Sequence, residues 1–357
     1  MAGDRRSFAD NADGLAHRRR DTIVRAVIRM PARGALRGLH AWQRRVARWP
    51  SLALLAGCAA LAHAALPLPE HVTFPSLDRD ATGNAVAISA LYFRPPQAAP
   101  GASVPLIVAA HGCGGMFSAS ASRRNELSER FASWTEQLLS DGYAVLWPDS
   151  FNSRGRRSVC LAKRGEPSIS PVTRRLDVLG ALAFAAAQPG VDRERIALVG
   201  WSHGGSTTLA AINGRDPEVA AFLSAPGAPP NFRAAVAFYP GCVVSLRKGA
   251  NWLPAMPIEI HVGELDDWTP PAACVQLGDA ARSRGANMTV TVYPGAYHGF
   301  DAPSGRVVVW KEVTTGAHPD QGVHVGPDPA ARAAANDAVR GFLRGGLLSG
   351  SPPPAAP

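Results

Sequence analysis

Three residues in this chain have the types and settings needed for nucleophilic acyl transfer. They are Ser202 in "LVGWSHGGS", Asp266 in "HVGELDDWTP" and His298 in "YPGAYHGF". A serine hydroxyl is a weak nucleophile and needs a base within hydrogen-bond reach. An imidazole serves as that base when a carboxylate fixes its tautomer and stabilises the imidazolium that forms. The three residues lie far apart along the chain, so the chemistry depends on a fold that brings them together.

Each has rivals. Gly200-Trp201-Ser202-His203-Gly204 fits the G-x-S-x-G pattern of a nucleophile elbow, in which glycines allow a tight turn from strand to helix. The alternative is a small polar residue in an ordinary turn. For the base, His203 sits on the elbow itself, His261 falls inside a predicted strand, and His324 lies in an irregular stretch, which leaves His298. For the acid, Asp267 is the neighbour of Asp266 and is read as the cap of the following helix. An oxyanion formed during acyl transfer needs backbone N–H donors. The loop "HGCGG" (111–115) offers Cys113, or its neighbour Gly114, and the residue after the serine offers His203.

These residues need elements to hold them. Short apolar runs, "VPLIVAAHG" (104–112), "YAVLWPD" (143–149), "RIALVGW" (195–201) and "AAVAFYPG" (234–241), suit strands buried on both faces. "PIEIHVGELDD" (257–267) and "MTVTVYPGAYHGF" read as strands with their loops. "AVAISALYFRP" (85–95) alternates like a half-buried strand. Between them come helical patterns: 122–140 with Leu127, Phe131, Trp134 and Leu138 on one face, 171–190, the segment after Ser202, the segment after Asp267, and 328–344. Strands alternating with helices predict a mostly parallel sheet flanked by helices on both faces. In such a sheet ligands bind beyond the carboxyl ends of the strands, where all three candidate residues fall. The stretch 303–327 reads as an insertion before the last helix.

The net charge of +9 belongs to the N-terminus. Residues 1–50 hold 12 Arg and 4 Asp, whereas the remainder holds 25 basic and 24 acidic residues. No basic stripe with interleaved aromatics runs through the body, which excludes nucleic acid as the expected partner. "RRVARWP", the apolar run "SLALLAGCAALA" and the small residues Ala62 and Ala64 read as a secretory leader. The apolar run is shorter than the ~20 residues of a membrane span. The expected layout is a leader over 1–64, one domain over 80–345 and a disordered Pro-rich tail over 346–357. "LAGC" raises an alternative, a lipid anchor on Cys58. Export to the periplasm or medium means an oxidising compartment, where Cys113, Cys160, Cys242 and Cys274 have three ways to pair as two disulfides. No motif for a metal or an organic cofactor is present.

The order Ser202, Asp266, His298, with "HGCGG", "YAVLWPDSF", "GWSHGG", "AFYPG", "GELDDWTP" and "YPGAYHGFD" in succession, resembles the dienelactone hydrolase family of the α/β-hydrolase fold over residues 80–345. The resemblance implies an α/β-hydrolase sheet and a hydrolase acting on a small-molecule ester or acyl substrate. The founding members carry a cysteine at the elbow and a glutamate in the loop that is "HGCGG" here. Ser202 in that place implies esterase-like chemistry on ester or lactone bonds, with a peptidase or amidase, or a non-catalytic binding protein on the same scaffold, as alternatives.

Around this site, Gly114, Arg154, Trp201 and Trp268 are candidates to line a substrate pocket, Arg154 by meeting a substrate carboxylate. Cys242 and Cys274 are expected near one rim, which suggests one bridge between them and the other between Cys113 and Cys160.

Overall fold

The computed structural model describes residues 66–162 and 168–348. Eight strands form one sheet: β1 (Glu70–Arg79), β2 (Ala85–Phe93), β3 (Val104–Ala110), β4 (Ala144–Pro148), β5 (Val191–Trp201), β6 (Ala234–Phe238), β7 (Ile258–Gly263) and β8 (Met288–Tyr293). Their spatial order is β1-β2-β4-β3-β5-β6-β7-β8. The pairs β1–β2 and β2–β4 are antiparallel, and every later pair is parallel. This is the mostly parallel sheet that the alternating pattern predicts.

Burial follows composition. Every residue of β3, β4 and β6 is buried, as continuous apolar runs require when helices cover both faces. The helices are α1 (Glu129–Ser140), α2 (Pro171–Ala186), α3 (His203–Ala211), α4 (Pro217–Ser224), α5 (Val243–Arg247), α6 (Ala272–Arg282) and α7 (Pro329–Leu343). The core divides into two clusters across the sheet. One joins Leu106, Val108, Leu198 and Ile260 to Leu182 and Leu209 of α2 and α3. The other joins Ile107, Val145 and Val236 to Trp134, Leu138 and Val339 of α1 and α7. Caps fix several starts: Ser170 accepts from Thr173 N ahead of Pro171, and Asp328 accepts from Ala331 N ahead of Pro329.

Several elements differ from the sequence reading. The sheet begins at Glu70, ahead of the expected boundary at residue 80, because β1 adds an antiparallel edge. Pro75 interrupts its pattern, and an edge strand tolerates a residue with no N–H to donate. The helix predicted over 122–140 starts only at Glu129. Residues 116–128 instead bond to one another, Ser118 N to Glu126 O and Ser128 N to Met116 O. Helix α4 follows α3 where no separate helix was expected. The stretch 303–327 contains a two-stranded hairpin, β9 (Val308–Trp310) and β10 (Val323–Val325), detached from the main sheet.

Cys113 bonds to Cys160 and Cys242 to Cys274, the pairing expected from the sequence. Among the described residues no helix is long and apolar enough to cross a membrane. The leader, Cys58 and all but the first few residues of the Pro-rich tail lie outside the described residues.

Candidate active site

The sheet reverses its order of winding at β3, with β4 on one side and β5 on the other. The loops leaving β3 and β5 therefore meet, and a crevice opens at the carboxyl edge. Ser202 leaves β5 with φ 54° and ψ −113°, outside the regions that an L-residue adopts without strain. The turn is affordable only because its flanks are glycine. A Cβ on Gly200 would stand 2.3 Å from Gly204 O, and one on Gly204 would stand 1.9 Å from Ala110 O. The start of α3 thus presses directly on the end of β3.

His298 lies in the loop after β8, and Asp266 in the loop after β7. His298 Nε2 is 2.9 Å from Ser202 Oγ. His298 Nδ1 is 2.8 Å from Asp266 Oδ2. Asp266 is 2% exposed and His298 is 3% exposed, so the pair interacts with little screening by water. The second oxygen of Asp266 accepts from Trp268 N at 3.0 Å and Thr269 N at 2.8 Å. This geometry keeps Nδ1–H on the acid and leaves Nε2 to accept the serine proton.

Several contributors were not anticipated. Thr269 donates its hydroxyl to Asp266 Oδ2 at 3.0 Å and lies 3.1 Å from His298 Nδ1. Tyr239, after β6, has φ 36° and sets its ring 4.5 Å from that of His298. Its hydroxyl donates to Asp301 at 2.6 Å. Burial pushes the Tyr239 phenol well above its ordinary value, against the pull of Arg130, so it stays a donor. Asp301 is fully buried and also accepts from Trp134 Nε1 at 2.8 Å and Trp201 Nε1 at 2.9 Å. Asp301 ends the quoted motif "YHGFD" and Tyr239 stands in "AFYPG", so both motifs held the residues, but not their contacts.

Ser202, His203 and Cys113 line one cleft of about 220 Å³, together with Cys160, Trp268 and Thr315. Trp268 packs 4.8 Å from the His298 ring and donates its indole N–H to Thr315. Gly114 is exposed beside the Cys113–Cys160 bridge.

Three expectations change. Trp201 is fully buried, packed between Trp147 and Phe238, so its ring supports the elbow from below and lines no pocket. Arg154 donates to both oxygens of Asp177, to Asp78 and to Ser150 O. Its fork is occupied by carboxylates of the chain itself, and it borders a neighbouring depression instead of the cleft. Asp267 caps no helix, since α6 begins from Pro271 without a side-chain cap. Its carboxylate instead binds His324 Nδ1 at 2.7 Å. Of the rival histidines, His261 is buried in β7 against Tyr293, and His203 points its ring to Arg174.

Among the described residues no group of His, Cys, Asp and Glu is arranged to hold a metal ion. A model of the dienelactone hydrolase family matches residues 88–344. No curated protein matches the chain. Among solved structures, esterase 2 of Thermogutta terrifontis phosphorylated by paraoxon superposes with TM-score 0.53 at 17% identity, covering 80% of this chain and 97% of that one. A propionate-bound form of the Thermogutta terrifontis esterase gives TM-score 0.51 at 17% identity, with coverage of 80% and 97%. Dipeptidyl peptidase 4 of Porphyromonas gingivalis gives TM-score 0.52 at 17% identity, covering 80% of this chain but 36% of the peptidase.

Proposed function

This chain belongs to the dienelactone hydrolase family, and from that premise we propose that it is an exported serine hydrolase that cleaves carboxylic ester or lactone bonds. Ser202 attacks the carbonyl carbon as His298 Nε2 takes the hydroxyl proton. Asp266 holds the imidazole and stabilises its charged form. The N–H groups of Cys113 and His203 receive the oxyanion. His298 then hands its proton to the leaving alcohol. Water, activated by the same imidazole, releases the acid and frees Ser202.

One observation carries this reading: an unbroken hydrogen-bonded path from Asp266 through His298 to Ser202. The cleft is small, about 220 Å³, which suits a short acyl group. The phosphorylated and propionate-bound forms of the Thermogutta esterase lend support by analogy, on a shared fold. Two disulfides favour an oxidising compartment, in keeping with residues 1–64 acting as an export leader.

The test is labelling by a fluorophosphonate probe, with p-nitrophenyl esters and peptide anilides as substrates. Labelling and ester turnover that vanish in Ser202→Ala are the expected result. Labelling that survives in Ser202→Ala sinks the nucleophile. Faster turnover of anilides than of esters replaces the esterase with a peptidase.

A further inference from the structure

Against His203, next to the nucleophile, lies a buried cation with no part in the proton path. Arg174 of α2 is 1% exposed. One nitrogen, Nη1, donates to His111 O at 2.8 Å and meets His203 Nδ1 at 3.0 Å. Its guanidinium carbon stands 4.8 Å over the Phe151 ring. Burial lowers it from the usual arginine value to about 10, so it is charged at neutral pH.

The two acceptors belong to the two halves of the expected oxyanion site. His111 opens the loop that carries Cys113, and His203 is the residue whose backbone N–H follows the nucleophile. The halves already touch, since Gly204 admits no Cβ against Ala110 O and His111 O. Contact alone does not fix their register. Arg174 does, because the two hydrogens of one nitrogen tie both segments to a single helix. His203 is suited to accept: burial first, then the Arg174 charge, lower it to about 3, so its ring stays neutral.

We propose that Arg174, through His203 and the His111 carbonyl, is the positioning residue of the oxyanion site, aligning the Cys113 and His203 N–H donors. The inference rests on Ser202 being the nucleophile. Its prediction concerns the oxygen of the scissile carbonyl and not the proton path. A thiono ester replaces that oxygen with sulfur, which is larger and a poorer acceptor, so it gains little from aligned donors. The ratio of oxygen-ester to thiono-ester kcat/KM therefore reads donor alignment. It does not change with the fraction of enzyme that is folded.

The experiment measures this ratio with p-nitrophenyl acetate and its thiono analogue for the full chain, Arg174→Lys, Arg174→Met and Arg175→Met. Arg175 is the control: it is buried on the same helix but pairs with Asp216 and Glu218. For Arg174→Met the ratio is expected to fall at least about tenfold, with KM for the oxygen ester within about threefold, a fraction of what losing a whole oxyanion donor costs. Arg174→Lys, whose ammonium lacks the planar fork, falls in between. Arg175→Met lowers the unfolding temperature and leaves the ratio as in the parent. A parent-like ratio in both Arg174 variants overturns the positioning role and leaves the nucleophile untouched. Ester turnover that persists in Ser202→Ala instead removes the reading beneath both.

Discussion

Two aspartates adjacent in sequence each hold a histidine, and the two pairs have little else in common. Asp266 meets His298 at 2.8 Å and Asp267 meets His324 at 2.7 Å. The His298 and Asp266 side chains are 4% and 0% exposed, whereas those of His324 and Asp267 are 42% and 23% exposed. The far nitrogen of His298 faces Ser202 Oγ. The His324 ring is stacked 4.9 Å from Tyr297. Asp267 also accepts from His324 N through its carboxylate and from Ala317 N through its carbonyl. The first pair is buried and in line with a serine hydroxyl. The second fastens the β9–β10 hairpin, and with it Thr315 on the cleft wall, to the acid loop. Hydrogen-bond length does not distinguish them; burial and the partner of the second ring nitrogen do.

Replacing each acid by its amide gives the largest separation. Asp266→Asn is expected to lower kcat by about 10³- to 10⁴-fold, since the imidazole loses its tautomer and its counter-charge. Asp267→Asn should stay within about threefold, as exposed pairs contribute little. Equal losses in steady-state kinetics would erase the distinction. Thr269→Val comes next. It removes a donor to Asp266 Oδ2, and a net hydrogen bond of about 1 kcal/mol corresponds to a loss of about fivefold in kcat.

His324→Ala follows, with a different signature. It loosens the wall, so KM for bulky esters should rise about two- to threefold, the size of a partly exposed pair, while kcat for acetate esters holds. A fall in kcat alone would instead join His324 to the chemistry. The smallest effect is on stability. Calorimetry of His324→Ala should show an unfolding temperature lower by at most about 2–4 °C, because a pair of this exposure contributes no more than about 1 kcal/mol.

Strands β3 and β6 were legible because they are buried on both faces and leave uninterrupted apolar runs, "VPLIVAA" and "AAVAF". β1 was not, since an edge strand with Pro75 and alternating exposure looks like a linker. The early start given to α1 came from Leu127, which pairs with Phe117 in a bridge and not with the helix face. Arg154 looked free in sequence because its partners, Asp78 and Asp177, lie 76 and 23 residues away. Asp267 resembled a cap because local spacing is all that a sequence displays, and its partner His324 is 57 residues on.

The sequence by itself determined the kind of sheet, the strained elbow at Ser202 and the strand ends from which Asp266 and His298 project. Those features depend on local periodicity and on glycine next to a reactive side chain, and both are written in neighbouring letters. Tertiary structure alone decided that Asp267 meets His324, that Trp201 supports the elbow from within the core, and that Arg174 joins His111 to His203. Each of these is a contact between segments distant in the chain, fixed by how the helices pack on the sheet.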